Sequence, residues 1–542
     1  MRVPGAIVFS LLFVVGACAG VSGPDTIIVN AKVFTADAAH PWAQALAITG
    51  GRVTAVGDTT SIEAQASSST RRIDAGGRTV IPGFNDAHQH IGIAPPHERL
   101  DMPFDPSVEQ IASAVTKAVA TTPAGSLIFG EFGQRAWANP LFSRAWLDGL
   151  APHHPVRLFA FTGHGQLLNS RALAYIGYDE ALQDPEGGHY GRDAQGHLDG
   201  RLEEYGDYLG ARAFALKTDP EYAVTLNRRF ATEASGYGIT SVQLMADPLP
   251  IAETVKYLVQ ADVPIRWKTY RFPMRPAGRD LIDSAPPVPP QPTPLIDTRG
   301  MKWIIDGTPI ERLAFMRAPY LDAPSERGRL NFSAERIAQF VGWAYGTEDP
   351  IAVHAIGDAA IETYLVAVEH AGRPEVWRQK RARIEHGDMV TPEQLVRIKQ
   401  LGMVVVQNPI HFMFAETFVE RYGRQRVDTM EPLKSMLQQG IPLAFGSDGP
   451  MNPFTQIMAA ITHPSNPKEA LTREQAVTAY TAGSAFAEFQ EKDKGQLAVG
   501  KLADLAILSA DVFTVPVEQL ESIRSDMTML GGKVVHQSGA VR

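Results

Sequence analysis

Apolar and polar residues alternate in short runs at both ends of the chain and gather into longer apolar runs between them. Near the start, Thr26–Phe34 reads as strand and turn, Ala45–Gly57 as a hairpin turning at Gly50-Gly51, and residues 71–81 as a further strand. The same texture returns at Gly495–Leu508 and at Thr528–His536, with a Gly531-Gly532 turn. The two ends are expected to pair into one small β-sandwich made of 25–81 and 490–542. Between them lie eight apolar strand candidates: Val80–Asn85, Ile239–Met245, Ile265–Phe272, Lys302–Ile305, Ile351–Ala355, Ala382–Ile384, Met403–Gln407 and Leu443–Phe445. Helix-like segments such as 220–237 and 334–345 separate most of them. Eight strands with intervening helices predict an α/β fold, a (β/α)8 TIM barrel over 82–489, at roughly 30 residues per repeat. The interval between the first two candidates far exceeds one repeat. An insertion is therefore expected at about 92–215, with strand-like pieces of its own at Ser126–Glu131 and Val156–Phe161. The Pro-rich stretch 285–294 reads as an extended surface loop.

Composition narrows the partners. The 542 residues are 44% hydrophobic and 20% charged, with Lys+Arg 50 against Asp+Glu 59 and a formal charge of −9. No basic stripe appears, which argues against nucleic acid. Arg2 and an almost wholly apolar run from Ala6 to Val15 read as a signal peptide over 1–17, too short to span a bilayer, followed by a linker over 18–24. Val15-Gly16-Ala17-Cys18 is similar to a bacterial lipobox, which implies lipid on Cys18. The expected location is the periplasmic face of the cell envelope, with the outer membrane favoured in a Gram-negative host because Ala19 follows. A plain secretory signal is the alternative. Cys18 is the one cysteine of the chain, so no intramolecular disulfide forms and no thiol can ligate metal elsewhere.

Ligand-type residues stand at the ends of the strand candidates. His88-Gln89-His90 places two imidazoles at i and i+2, on one face of a strand and about 7 Å apart along the backbone. His354 ends Ile-Ala-Val-His, His386 ends Arg-Ile-Glu-His, and Asp448 ends Leu-Ala-Phe-Gly-Ser-Asp. A parallel barrel collects such ends at one mouth. Four imidazoles and a carboxylate suit Zn2+ with a position left for water. Lys302 lies in the same set, although an ammonium cannot ligate. Asp86 is expected to support the first-strand turn or orient a histidine. His164 and Asn169, in the insertion, and His411, after the seventh strand, are candidate substrate-binding residues. His40, His153, His154 and His463 read as solvated loop residues.

Pro82-Gly83-Phe84-Asn85-Asp86-Ala87-His88-Gln89-His90 resembles the first-strand signature of the amidohydrolase superfamily of metal-dependent hydrolases. The closest resemblance is to its YtcJ-like branch, amidohydrolase type 3. Gly163-His164 with Asn169-Ser170 and Ala172-Leu173, Lys302 with Asp306-Gly307, His354 with Gly357-Asp358, Glu385-His386, Gly446-Ser447-Asp448 and Gly495…Asp504 continue it in order. Thr308–Arg312 departs from the branch's usual pattern beside the pocket. The resemblance implies a carboxylated Lys302 bridging two divalent metals. One would be held by His88, His90, Lys302 and Asp448, the other by Lys302, His354 and His386. It further implies a hydroxide nucleophile and Asp448 as the catalytic proton shuttle.

The expected function is hydrolysis of an amide or N-acyl C–N bond in a small molecule, with one or two ions per chain and a homodimer left open. A mononuclear deaminase and an ester or lactone hydrolase are alternatives on the same barrel. A solute-binding lipoprotein is the alternative from another class, and it has no need of four histidines and an aspartate at strand ends.

Overall fold

A computed structural model describes residues 23–245, 248–274 and 288–541. The signal-like segment and Cys18 lie outside the described residues, as do residues 285–287 of the Pro-rich stretch. No described helix is long and apolar enough to cross a membrane.

The eight barrel strands are β1 (Phe84–Gln89), β2 (Ile239–Leu244), β3 (Arg266–Thr269), β4 (Met301–Ile304), β5 (Ile351–Ala355), β6 (Arg383–His386), β7 (Val404–Gln407) and β8 (Leu443–Phe445). They pair in parallel as β1-β2-β3 and as β4-β5-β6-β7-β8. A parallel bridge between Arg271 and Met301 joins the two groups. The barrel closes where the Asp448 amide donates to the His88 carbonyl at 2.9 Å. Gly446 permits that closure, because a Cβ there would lie 2.3 Å from the His88 nitrogen. A two-residue strand, Ile296–Asp297, also pairs with β3 and has no counterpart among the apolar runs.

Strand alternation sorts the side chains. Register sets Lys302 beside Ala352 and Ala352 beside Arg383, and in the next layer His354 beside Glu385. Trp303, one residue from Lys302, points the other way and stacks on Phe340 of the helix Ala334–Gly346 at 4.8 Å. Lys302, His354, Arg383 and Glu385 therefore face the barrel interior, with Ala352 and Ile304 among them, while Trp303 packs under a helix.

The first strand candidate is two strands. Thr79–Pro82 belongs to the β-sandwich and Phe84–Gln89 to the barrel. Pro82 and Gly83 make the break. A Cβ at Gly83 would stand 2.3 Å from the Thr240 hydroxyl, so only glycine lets the chain pass β2 as it changes sheets. One sandwich sheet holds Thr26–Val29, Ala45–Thr49, Arg52–Gly57 and Arg71–Asp74. The other adds Leu505–Leu508, Ser525–Leu530 and Lys533–Gln537 to Thr79–Pro82 and the early strands Lys32–Phe34 and Trp42–Ala43. Ile28, Leu46, Val80, Leu505 and Met527 fill the space between them.

Residues between β1 and β2 build a six-stranded mixed sheet from Glu98–Arg99 to Leu198–Glu204, with helices on its flank. This unit reaches the barrel through Thr162, whose hydroxyl donates to Glu311 at 2.5 Å, and through Asn331, which donates to Glu204 at 2.9 Å.

Candidate active site

His88 is the last interior-facing residue of β1. Its Nδ1 lies 2.6 Å from Glu385 Oε2. Burial alone would raise the Glu385 carboxyl, but the Arg383 guanidinium and His88 hold it well below the usual carboxylate range. An ionised Glu385 can only accept, so Nδ1 carries the proton and Nε2 presents its lone pair to the site. That nitrogen lies 3.6 Å from Asp448 Oδ1. His90, just past the strand end, brings its Nε2 to 3.0 Å from the same oxygen.

His386 and Glu385 are neighbours on β6 and would ordinarily face opposite sides. His386 instead has a left-handed backbone, φ 70°, which breaks the alternation. Its ring then lies 4.8 Å from that of His88 and 4.5 Å from that of His354. Its Nδ1 meets Asn408 Oδ1 at 2.9 Å and Asp448 Oδ2 at 3.5 Å. Asp448 is a second left-handed residue, φ 47°. Asp86 holds its loop, accepting from the Ser447 amide at 2.9 Å, the Ser447 hydroxyl at 2.6 Å and the Tyr480 hydroxyl at 3.0 Å. Asp86 also accepts from the His88 amide at 3.2 Å, which ties β1 to the loop after β8.

Asp448 is the meeting point. His88 and His90 lie on its Oδ1 side, and His386 and His411 on its Oδ2 side, with His411 Nε2 at 3.5 Å. Burial would raise its carboxyl, but His88, His411, His90 and His386 together hold it well below the usual range. One ligand atom from each of His88, His90 and Asp448 lies within 4.8 Å of the others, and the same holds for His386, His411 and Asp448.

His354 and Lys302 complete the floor. The Nε2 of His354 is buried with no hydrogen-bond partner. Burial keeps the His354 and His386 imidazoles neutral, well below their ordinary value, with neighbouring cationic groups adding to the effect. Burial also pushes the Lys302 ammonium down to about 8, against Glu385 and Asp448. Neutral imidazoles, an ionised carboxylate and an orphaned ring nitrogen form a donor set that fits a divalent metal.

His164 enters from the insertion, its ring 4.8 Å from that of His354. Its Nδ1 is 3.1 Å from both oxygens of Glu204 and 3.2 Å from the Tyr208 hydroxyl. Burial would lower this imidazole, but Glu204, with Glu311 and Asp448, raises it to about 9. Glu204 is buried and holds φ 52° with ψ −124°, a backbone shape suited to glycine. Sequence reading missed Glu204, Glu385 and Glu311. Glu385 stands in the Glu385-His386 motif and at i, i+2 spacing with Arg383, and Glu311 lies in the divergent 308–312 loop, whereas Glu204 carried no signal.

Other expectations are corrected. Asn169 is not available to a substrate. Its Oδ1 accepts from the Ala172 and Val156 amides at 2.9 Å each, and its Nδ2 donates to the carbonyls of Ala151 and His154 at 3.3 and 2.9 Å. It caps the helix Ser170–Ile176 and fastens it to the insertion sheet. His463 and His154 are buried, not solvated. His463 stacks on Phe412 at 4.1 Å and meets the Glu431 carbonyl at 2.9 Å.

The donor set stands at the C-terminal strand ends of a (β/α)8 barrel, and the family follows from the sequence match. Residues 71–536 match the family model described as "Amidohydrolase family", and the chain belongs to that family. It is accordingly a hydrolase of the amidohydrolase type, with residue groups that could hold a metal ion. The chain is 27% identical to YtcJ of Bacillus subtilis (strain 168), covering 88% of this chain and 92% of that protein. It is also 27% identical to the N-substituted formamide deformylase of Arthrobacter pascens, covering 94% and 97%. Among solved structures, an uncharacterised metal-dependent hydrolase from Pyrococcus horikoshii OT3 superposes with a TM-score of 0.67 at 22% identity, over 91% of this chain and 99% of that one.

Proposed function

We propose that the chain hydrolyses the amide bond of a small N-acyl or N-formyl compound at the site centred on Asp448. The observation that carries this reading is the convergence of His88, His90, His386 and His411 on one partly buried carboxylate. The formamide deformylase relative, alike over nearly its whole length, supports the choice of an acyl–nitrogen bond.

The residues to hold metal are His88, His90, His354, His386 and Asp448, with Zn2+ the ion best suited to them. Lys302 joins them as a carbamate. Its depressed pKa leaves a share of free amine near neutrality, the form that reacts with CO2, and a carbamate replaces an ammonium that would repel the ion. Metal bound there supplies a lowered water pKa and polarisation of the scissile carbonyl. Asp448, kept ionised, accepts the proton of the attacking water at a carboxylate oxygen and delivers it to the departing nitrogen. His164 is cationic and is held through Nδ1, which leaves Nε2 to donate to the substrate carbonyl oxygen as charge develops there. Glu204 keeps it charged and oriented. Thr308–Arg312 and the insertion wall the pocket on that side, through the contact between Glu311 and Thr162.

Incubating metal-replete protein with a panel of N-formyl and N-acyl amines and following free amine tests the reading. Amine release that chelation abolishes is expected. Turnover of esters with no amide hydrolysed would replace it by the esterase reading. The protein is proposed to act outside the cytoplasm, held by lipid on Cys18, and Cys18→Ser is expected to lose lipid labelling and membrane fractionation.

A further inference from the structure

His411 looks two ways. Its Nε2 faces Asp448, whereas its Nδ1 lies 3.2 Å from Oδ2 of Asp388. One ligand atom from each of Asp388, His411 and Glu431 lies within 4.8 Å of the others. The backbone fixes the two acids together, since the Glu431 amide donates to the Asp388 carbonyl at 2.9 Å. Glu431 itself is held left-handed, φ 51°.

These acids are buried and unsatisfied. Asp388 is 1% exposed and Glu431 0%. Oδ1 of Asp388 and both carboxylate oxygens of Glu431 have no hydrogen-bond partner. Among the described residues no lysine or arginine pairs with either. The surroundings are mostly apolar, with Met389, Phe418, Val427 and Met430 packed into one cluster and the unpartnered Tyr422 hydroxyl as a neutral neighbour of Asp388. Orphaned acceptors in such a place are costly unless something supplies positive charge and coordination. Three orphaned oxygens, a fourth oxygen already facing an imidazole, and that imidazole nitrogen make a mixed O/N donor set for a first-row divalent cation.

We propose that Asp388, Glu431 and Nδ1 of His411 bind a divalent cation separate from the catalytic metal. The ion takes the place of the proton on Nδ1, which leaves Nε2–H to donate to Asp448 Oδ2. The cation thereby locks the His411 tautomer and orients the carboxylate on which the proposed chemistry depends. The site itself does not depend on that chemistry.

Crystals of the full chain grown with Mn2+ and measured at the manganese absorption edge test the site directly. An anomalous peak is expected among Asp388, His411 and Glu431, apart from any at His88, His90 and Asp448. In Glu431→Gln, close in shape but without the charge, that peak disappears while the catalytic one stays. Asp388→Asn provides the same test if the first variant does not fold. A wild-type crystal with metal at His88 and His90 but none at Glu431 overturns the proposal. Undiminished occupancy in both variants overturns it as well. Metal at Glu431 with none at His88 and His90 supports it and overturns the catalytic assignment instead.

Discussion

Replacing Glu385 by Gln separates the two tasks of one buried carboxylate. Glu385 accepts from Arg383 Nε at 2.7 Å and from its terminal nitrogen at 3.0 Å, and meets His88 Nδ1 at 2.6 Å. Arg383 and Glu385 are both fully buried. Other contacts of Arg383 are neutral: Gln243 at 2.5 Å, the Tyr270 hydroxyl at 2.9 Å and the Ala87 carbonyl at 2.9 Å. Removing one member of a buried pair costs about 3–5 kcal/mol, and the amide oxygen still accepts one bond, so about 3 kcal/mol is expected. Metal affinity falls for a different reason, because His88 loses the charged acceptor that fixes its tautomer. That loss is worth about 10–100-fold, or about 1.4–2.7 kcal/mol. Denaturant midpoints and chelator competition measure the two effects. In the double variant Arg383→Met/Glu385→Gln neither buried charge remains, so stability recovers while metal affinity stays low. Metal affinity of Glu385→Gln within about twofold of wild type, well short of the outer-partner effect, would refute the assigned role of Glu385.

Three further outcomes are expected. Asp448→Asn should lower kcat by at least about 10²-fold with smaller effects on substrate binding, and near-wild-type kcat with metal bound would place the proton shuttle elsewhere. Lys302→Ala should reduce the metal bound and nearly abolish turnover, with partial rescue by a small carboxylic acid, and unchanged metal content would remove the carbamate. In metal-free protein the His164 imidazole is raised from 6.5 to about 9. Its contribution to stability is therefore full below about 6.5 and fades as pH rises through about 9. Glu204→Gln should flatten that dependence and move the His164 imidazole signal downward in an NMR titration, and an unmoved titration would exclude Glu204 as its cause.

Much of the barrel was legible because its strands are short apolar runs and its chemistry sits at their ends. Ile351–Ala355 and Leu443–Phe445 coincide with their apolar runs, since a strand buried on both faces needs no polar alternation. The first strand was misread as continuous. Its apolar run crosses two sheets, and only the close approach at Gly83 shows why. The insertion was visible as an interval of the wrong length, but its pairing was not. His189 on one strand faces Glu203 on another, and such long-range antiparallel pairs leave little local trace. Asn169 has the residue type of a binding group and the position of a helix cap, and burial decides between them. His463 sits where the chain leaves a helix and resembles a surface residue until Phe412 covers it. Glu204 was invisible because its backbone shape is imposed by the contacts around it.

His88 and His90 hold metal together with Asp448 in the proposed site. Elemental analysis of wild-type protein and of the His88→Ala/His90→Ala variant, purified alike and dialysed against the same buffer, tests it most directly. The variant is expected to fold and to carry less metal by at least about one ion per chain. Equal metal content in the two proteins would contradict it.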